Sequence, residues 1–72
     1  MIQSNVYQYQ ILNIKTVIEI TAISRSTIYE MINPKSNYYD ASFPRPISLT
    51  QNRIGWISQE IYEWIESKIA KR

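Results

Sequence analysis

Seventy-two residues suffice for one domain whose single core supplies only about 3–5 kcal/mol. Hydrophobic residues at 44% and aromatics at 12% exclude a disordered tail. The absence of cysteine and histidine excludes disulfides, thiolate metal sites and the usual general base.

The net charge of +2, with a pI near 9.0, tolerates a polyanionic partner without demanding one. Met1 to Tyr7 show neither a basic start nor a continuous apolar run, so no signal peptide is expected. The apolar runs fall far short of a membrane span. A soluble cytoplasmic protein is the expectation.

Tyr7 to Ile11 alternates apolar and polar residues, which predicts a short, half-buried strand. Asn13 is placed to cap a first helix, with Leu12 and Val17 as its hydrophobic staple. Val17, Ile18 and Ile20 give that helix an apolar side, and it ends near Thr21 and Ala22. Glycine would be the easier residue at such a turn, because positive φ costs it nothing. Ala22 therefore counts slightly against the turn, or implies one that stays at negative φ.

Ile23 forms the corner, and the Ser24 hydroxyl is placed to accept a hydrogen bond from the start of a second helix. Ile23 and Ile28 flank that cap as a staple. Ile28, Met31 and Ile32 form the inner side, leaving Arg25, Ser26, Thr27, Tyr29 and Glu30 outside. Two short helices with a tight turn between them are the geometry of a helix-turn-helix DNA reader. The second helix stops at Asn33-Pro34, since proline disfavours helical geometry in its predecessor.

Tyr38 and Tyr39, in the polar loop Lys35 to Ser42, are expected to fold back over apolar surface rather than stack on bases. Phe43-Pro44-Arg45-Pro46 reads as extended. Pro46 to Leu49 and Arg53 to Trp56 read as two strands joined by the short polar stretch Thr50-Gln51-Asn52. A hairpin in that position is a wing. Ser58 is expected to cap a third helix, with Ile57 and Tyr62 as staple and an apolar stripe of Ile57, Ile61, Trp64, Ile65 and Ile69. Trp56 and Trp64 are core candidates.

Glu60, Glu63 and Glu66 precede Lys68, Lys71 and Arg72 along this helix, an order that suits the helix dipole and needs no ligand. The carboxylate row resembles catalytic groups only superficially, since a solvated helix face explains it. With one glycine, Gly55, there is no phosphate-cradling loop, and nothing is placed to activate a nucleophile. An enzyme, a cofactor, a metal and a small-molecule substrate are therefore not expected.

Lys15–Ile32 with its S-R-S-T-I-Y core, Phe43–Leu49 (F-P-R-P-I-S-L) and Ile54–Ile65 (I-G-W-I-S-Q-E-I-Y-E-W-I) occur in that order. In this combination the chain resembles the AlpA family of small phage and prophage regulators, related to excisionases and more distantly to the MerR-type winged helix. The resemblance implies sequence-specific binding of double-stranded DNA, with roles in regulating prophage genes or directing integrase toward excision. Glycine commonly stands at Ala22 in that family, the loop from Asn33 to Ser42 is longer here, and Glu30 replaces what is often a basic residue.

The expected fold is mainly α with a small β-hairpin, a single winged helix-turn-helix domain over 1–72. It divides into an N-terminal arm or strand (1–12), helix-turn-helix (13–33), wing (43–57) and C-terminal helix (58–70). Ser24, Arg25, Ser26, Thr27 and Tyr29 are the candidates for major-groove contacts. Arg25 leads them, because its planar fork matches guanine O6 and N7. Gln51, Asn52 and Arg53 are candidates for the minor groove or backbone, and Arg45 for a phosphate. The plain reading of the wing is a hairpin that covers the core.

The competing expectation is a protein-binding module that contacts an integrase or another regulator through Tyr62 and the acidic side of the last helix. Without a heptad seam, a monomer that assembles with further copies of itself on DNA is expected.

Overall fold

The computed structural model describes residues 9–72, in the order β1 (Ile11–Leu12), α1 (Ile14–Thr21), α2 (Arg25–Met31), β2 (Ile47–Thr50), β3 (Arg53–Ile57) and α3 (Ser58–Ala70). The chain forms a small winged-helix-like domain of three helices and a three-stranded sheet. Of the expected strand at Tyr7 to Ile11, Tyr7 and Gln8 lie outside the described residues. The described part is corrected: Tyr9 is exposed, and the strand is Ile11–Leu12. It pairs antiparallel with β3, Ile11 opposite Ile57 and Leu12 opposite Trp56. The hairpin is thus the larger part of a three-stranded sheet in the order β1-β3-β2.

Local sequence chemistry builds the two helices of the helix-turn-helix. The Asn13 side chain accepts the Thr16 amide at 2.9 Å, and Leu12 and Val17 are both buried at the staple positions. After α1, Ala22 takes a left-handed conformation with φ 62°, so the alternative of a turn at negative φ is wrong. The Ala22 amide bonds to the Ile18 carbonyl at 2.8 Å. Across the same corner, the Thr21 hydroxyl donates to the Val17 carbonyl at 2.8 Å and accepts the Ile23 amide at 3.2 Å. These bonds hold the turn in a conformation that an alanine alone resists.

The wing spans Ile47–Thr50 and Arg53–Ile57 around Gln51 and Asn52. The strand bounds expected from the sequence are corrected. Pro46, read as the start of the first strand, stays outside β2 because it has no N–H to give a ladder. Thr50 joins β2 and Ile57 joins β3. Ile47 faces Gly55, Ser48 faces Ile54 and Thr50 faces Arg53, so the register slips at Leu49. Such an irregularity bends and twists the strand locally.

The third helix corrects two expectations. Its cap is Ile57, without a side-chain hydrogen bond, and Ser58 is the first helical residue. The reason is tertiary: β3 runs straight into α3, and the Ser58 amide is taken by the Gln10 carbonyl at 2.9 Å. The staple positions therefore fall on Trp56 and Ile61, both fully buried, while Tyr62 is exposed. Ile69, placed on the apolar stripe from the sequence, is half exposed because it extends beyond the core.

Leu12, Val17, Ile28, Met31, Phe43, Trp56 and Ile61 form the core, and Trp64 is a partly buried neighbour packed against it. Phe43, not singled out from the sequence, meets the Trp64 ring edge-on at 4.9 Å between centroids. The indole N–H of Trp56 donates to the Pro44 carbonyl at 3.1 Å. Pro44 to Pro46 are thereby tied to the sheet on the way into the wing.

Candidate nucleic-acid interface

The burial of Ile28 and Met31 decides which way α2 faces. With those side chains in the core, Arg25, Ser26, Thr27, Tyr29 and Glu30 all project outward and are exposed. The turn at Ala22 and the cap at Ser24 hold this surface in place. The Ser24 hydroxyl accepts the Thr27 amide at 3.3 Å and donates to the Thr27 hydroxyl at 2.9 Å, with the Ser26 hydroxyl 3.4 Å away. Ser24 and Thr27 are thus engaged with each other, and Ser26 offers the freer hydroxyl.

Tyr29 turns toward the wing. It borders a concavity with Asn52 and Arg53 at the end of the hairpin, Leu49 and Ile54 on its flank, and Asn13 at the start of α1. Gln51 is exposed at the tip beside them. The fold therefore brings one edge of α2 and the wing tip to a common surface. Arg45 is not part of it. It lines a separate groove with Pro44, Glu60, Glu63 and Trp64, between the extended segment and α3.

Among the described residues the ion pair is Lys68 with Asp40, at 3.9 Å; Arg25, Arg45 and Arg53 make none. Their guanidinium groups remain available to an anion. The Lys68 ammonium also sits over the Trp64 ring, 5.2 Å from its centroid. Hydrogen bonds from the Ser42 hydroxyl and amide hold the Asp40 carboxyl below the ordinary aspartate value, against a smaller opposing effect of burial, and Lys68 adds to the lowering.

The loop after α2 departs from expectation. Tyr38 and Tyr39 do not fold back over apolar surface; both are exposed, Tyr38 to 72%. The loop satisfies its backbone locally, with the Lys35 amide on the Asn33 side chain at 3.0 Å and the Asp40 amide on the Met31 carbonyl at 2.9 Å. This keeps the tyrosines away from the core. Tyr38 instead borders a concavity with Ser26, Thr27 and Glu30. The sequence contained one signal for that placement, a serine two residues before Tyr38 and six after Glu30, too generic to be read alone.

No helix among the described residues is long and apolar enough to cross a membrane. No solved structure gives a significant match to the chain. It is 44% identical over 59 residues to the DNA-binding transcriptional activator AlpA of Escherichia coli (strain K12), covering 82% of this chain and 84% of that protein. It is also 31% identical over 68 residues to the uncharacterized protein ORF88 of Enterobacteria phage P4, covering 94% of this chain and 70% of the other. Residues 10–69, which hold the helix-turn-helix, the wing and nearly all of α3, match the family described as prophage CP4-57 regulatory protein (AlpA), and the chain belongs to that family.

Proposed function

We propose that this protein is a sequence-specific, double-stranded DNA-binding regulator of phage or prophage genes, working as one winged helix-turn-helix unit. Helix α2 enters the major groove, and the wing follows the adjacent backbone or minor groove. The observation that carries this reading is the outward face of α2, led by an unpaired Arg25, beside a wing whose Arg53 and Asn52 share a concavity with Tyr29. The name of the Escherichia coli relative, a DNA-binding transcriptional activator, supports it.

In this mechanism Arg25 pairs with guanine O6 and N7, a contact worth roughly 1–3 kcal/mol of discrimination. Ser26 and Tyr29 contact bases or phosphates, with Ser24 and Thr27 holding the first turn and presenting their hydroxyls to the backbone. Arg53, Asn52 and Gln51 extend the contact to the flanking groove. Arg45 is the least favoured candidate, since it lines the groove beside α3. One copy spans only a few base pairs, so several copies on repeated sites gain affinity through effective concentration.

Selection of bound duplexes from a random pool, followed by titration of the selected site, tests the reading. Submicromolar binding to a defined sequence, with Arg25→Ala losing that site far more than random DNA, is the expected result. Equal loss on both duplexes would reduce Arg25 to a phosphate contact.

Service as an excisionase belongs to the same DNA-binding reading. A second reading is a regulatory module that acts by contacting an integrase or another regulator. It draws on the groove between the extended segment and α3, where Glu60 and Glu63 stand beside Trp64. Tight binding to such a protein, with only weak binding to every duplex, would favour it.

A further inference from the structure

We propose that Tyr38 is an additional DNA-contacting residue whose phenol donates a hydrogen bond to a backbone phosphate, on the side of α2 away from the wing. The inference rests on the reading of α2 as the groove-reading helix and extends it to the loop that follows. Tyr38 has the greatest exposure of the large hydrophobic side chains among the described residues, 72%, so packing does not account for its position. It borders a concavity with Ser26, Thr27 and Glu30, whereas Tyr29 borders the one shared with the wing. Helix α2 therefore has a concavity on each side, one closed by the wing and the other by the loop that carries Tyr38.

The Tyr38 loop is tied to the helix itself. The Ser36 hydroxyl donates to the Glu30 carboxylate and accepts the Tyr38 amide at 3.0 Å. The Ser36 amide bonds to the Asn33 carbonyl at 2.9 Å and the Tyr39 amide to the Ser36 carbonyl at 3.2 Å. The Glu30 carboxylate keeps its negative charge and opposes a phosphate in its own vicinity, so its part in the site is to anchor the loop that carries Tyr38. A tyrosine on an ordered loop offers its hydroxyl at little conformational cost. Neutral donors of this kind set a protein's register on the duplex and carry no sequence information.

That chemistry fixes the signature. Tyr38→Phe should weaken binding to the selected duplex and to a random duplex by the same factor, about three- to tenfold. The salt slope should not change, because no phosphate-neutralising charge is lost. Ser36→Ala, which frees the loop without removing a DNA contact, should lose a comparable factor. The experiment is equilibrium binding of the full chain and of Tyr38→Phe, Ser36→Ala and Arg25→Ala to both duplexes across a salt series, with thermal unfolding of each variant.

Equal losses on both duplexes for Tyr38→Phe, with Tm and slope unchanged, support the proposal. Wild-type affinity in Tyr38→Phe, or a loss confined to the selected duplex, overturns it. If the wild-type chain binds no duplex, the DNA reading itself has failed and this inference goes with it. If Arg25→Ala loses discrimination while Tyr38→Phe is silent, only this inference falls.

Discussion

Gly55 lies directly against Ile11: a Cβ built on the glycine would overlap the Ile11 Cγ2 atom and stand 3.3 Å from the Leu12 carbonyl oxygen. The absence of a side chain here lets the Ile11 side chain of β1 pack directly on the central strand while the wing strand takes its other edge. Gly55→Ala should destabilise the protein by about 1–3 kcal/mol, the usual cost of overpacking. Thermal unfolding should show a fall in Tm of roughly 4–8 °C per kcal/mol, and an unchanged Tm would mean that Ile11 simply swings aside.

Ala22 offers a change in the other direction. Its φ of 62° carries a steric cost for any residue with a Cβ, about 1–2 kcal/mol, and glycine returns part of that gain as chain entropy. Ala22→Gly should therefore stabilise by about 0.5–1 kcal/mol. Denaturant titration with an unchanged m-value and a higher midpoint is the readout.

The two tryptophans should behave unequally. Trp56 is fully buried and hydrogen-bonded to Pro44, and its loss to alanine, about 3–5 kcal/mol, would consume most of the stability of so small a core. Trp64 is partly buried, packs on Phe43 and gives its indole N–H to the Ser42 hydroxyl at 3.3 Å. Trp64→Ala should cost about 2 kcal/mol, leaving a folded protein with a lower Tm by circular dichroism.

Asp40 should make the protein sensitive to acid. The Ser42 hydrogen bonds, with Lys68, lower its folded pKa from the ordinary 3.8, so the unfolded chain takes up the proton first. The stabilisation is complete above the unfolded value and is lost as pH falls through the folded one. Below about pH 4 the wild-type Tm should fall more steeply than that of Asp40→Asn. Parallel curves for the two proteins would remove Asp40 from the account.

For the wing, the salt dependence of binding separates contact from cover. Arg53→Ala should reduce the slope of log affinity against log salt by about 0.9, the value for one lost phosphate contact on duplex DNA. Arg45→Ala, in the groove beside α3, should leave that slope unchanged. Matching slopes for Arg53→Ala and wild type would make the hairpin a cover for the core alone.

Much of the helix-turn-helix was legible in the order of the residues, because its determinants act within one turn of chain. Asn13 reaches the Thr16 amide and Ser24 the Thr27 amide, each across three positions, and the apolar spacing of Ile28 and Met31 already says which face of α2 turns inward. The same local rule misplaced the cap of α3. A serine ahead of a helical pattern looks like a cap, but the Ser58 amide is claimed by Gln10, far away in the chain.

What the order of residues determined by itself was two capped helices in sequence, a hairpin after them, and the side chains left on the outer face of α2. The tertiary structure alone decided which groups meet. It set Arg53 in one concavity with Tyr29 and Arg45 in one groove with Glu60, and it made β1 a partner of β3. It also left Tyr38 standing next to α2 rather than under it. Caps, staples and amphipathic faces depend on neighbours a few residues apart, so their spacing carries them. Shared surfaces depend on strand register and on how the core fills, and those follow only from all elements packing at once.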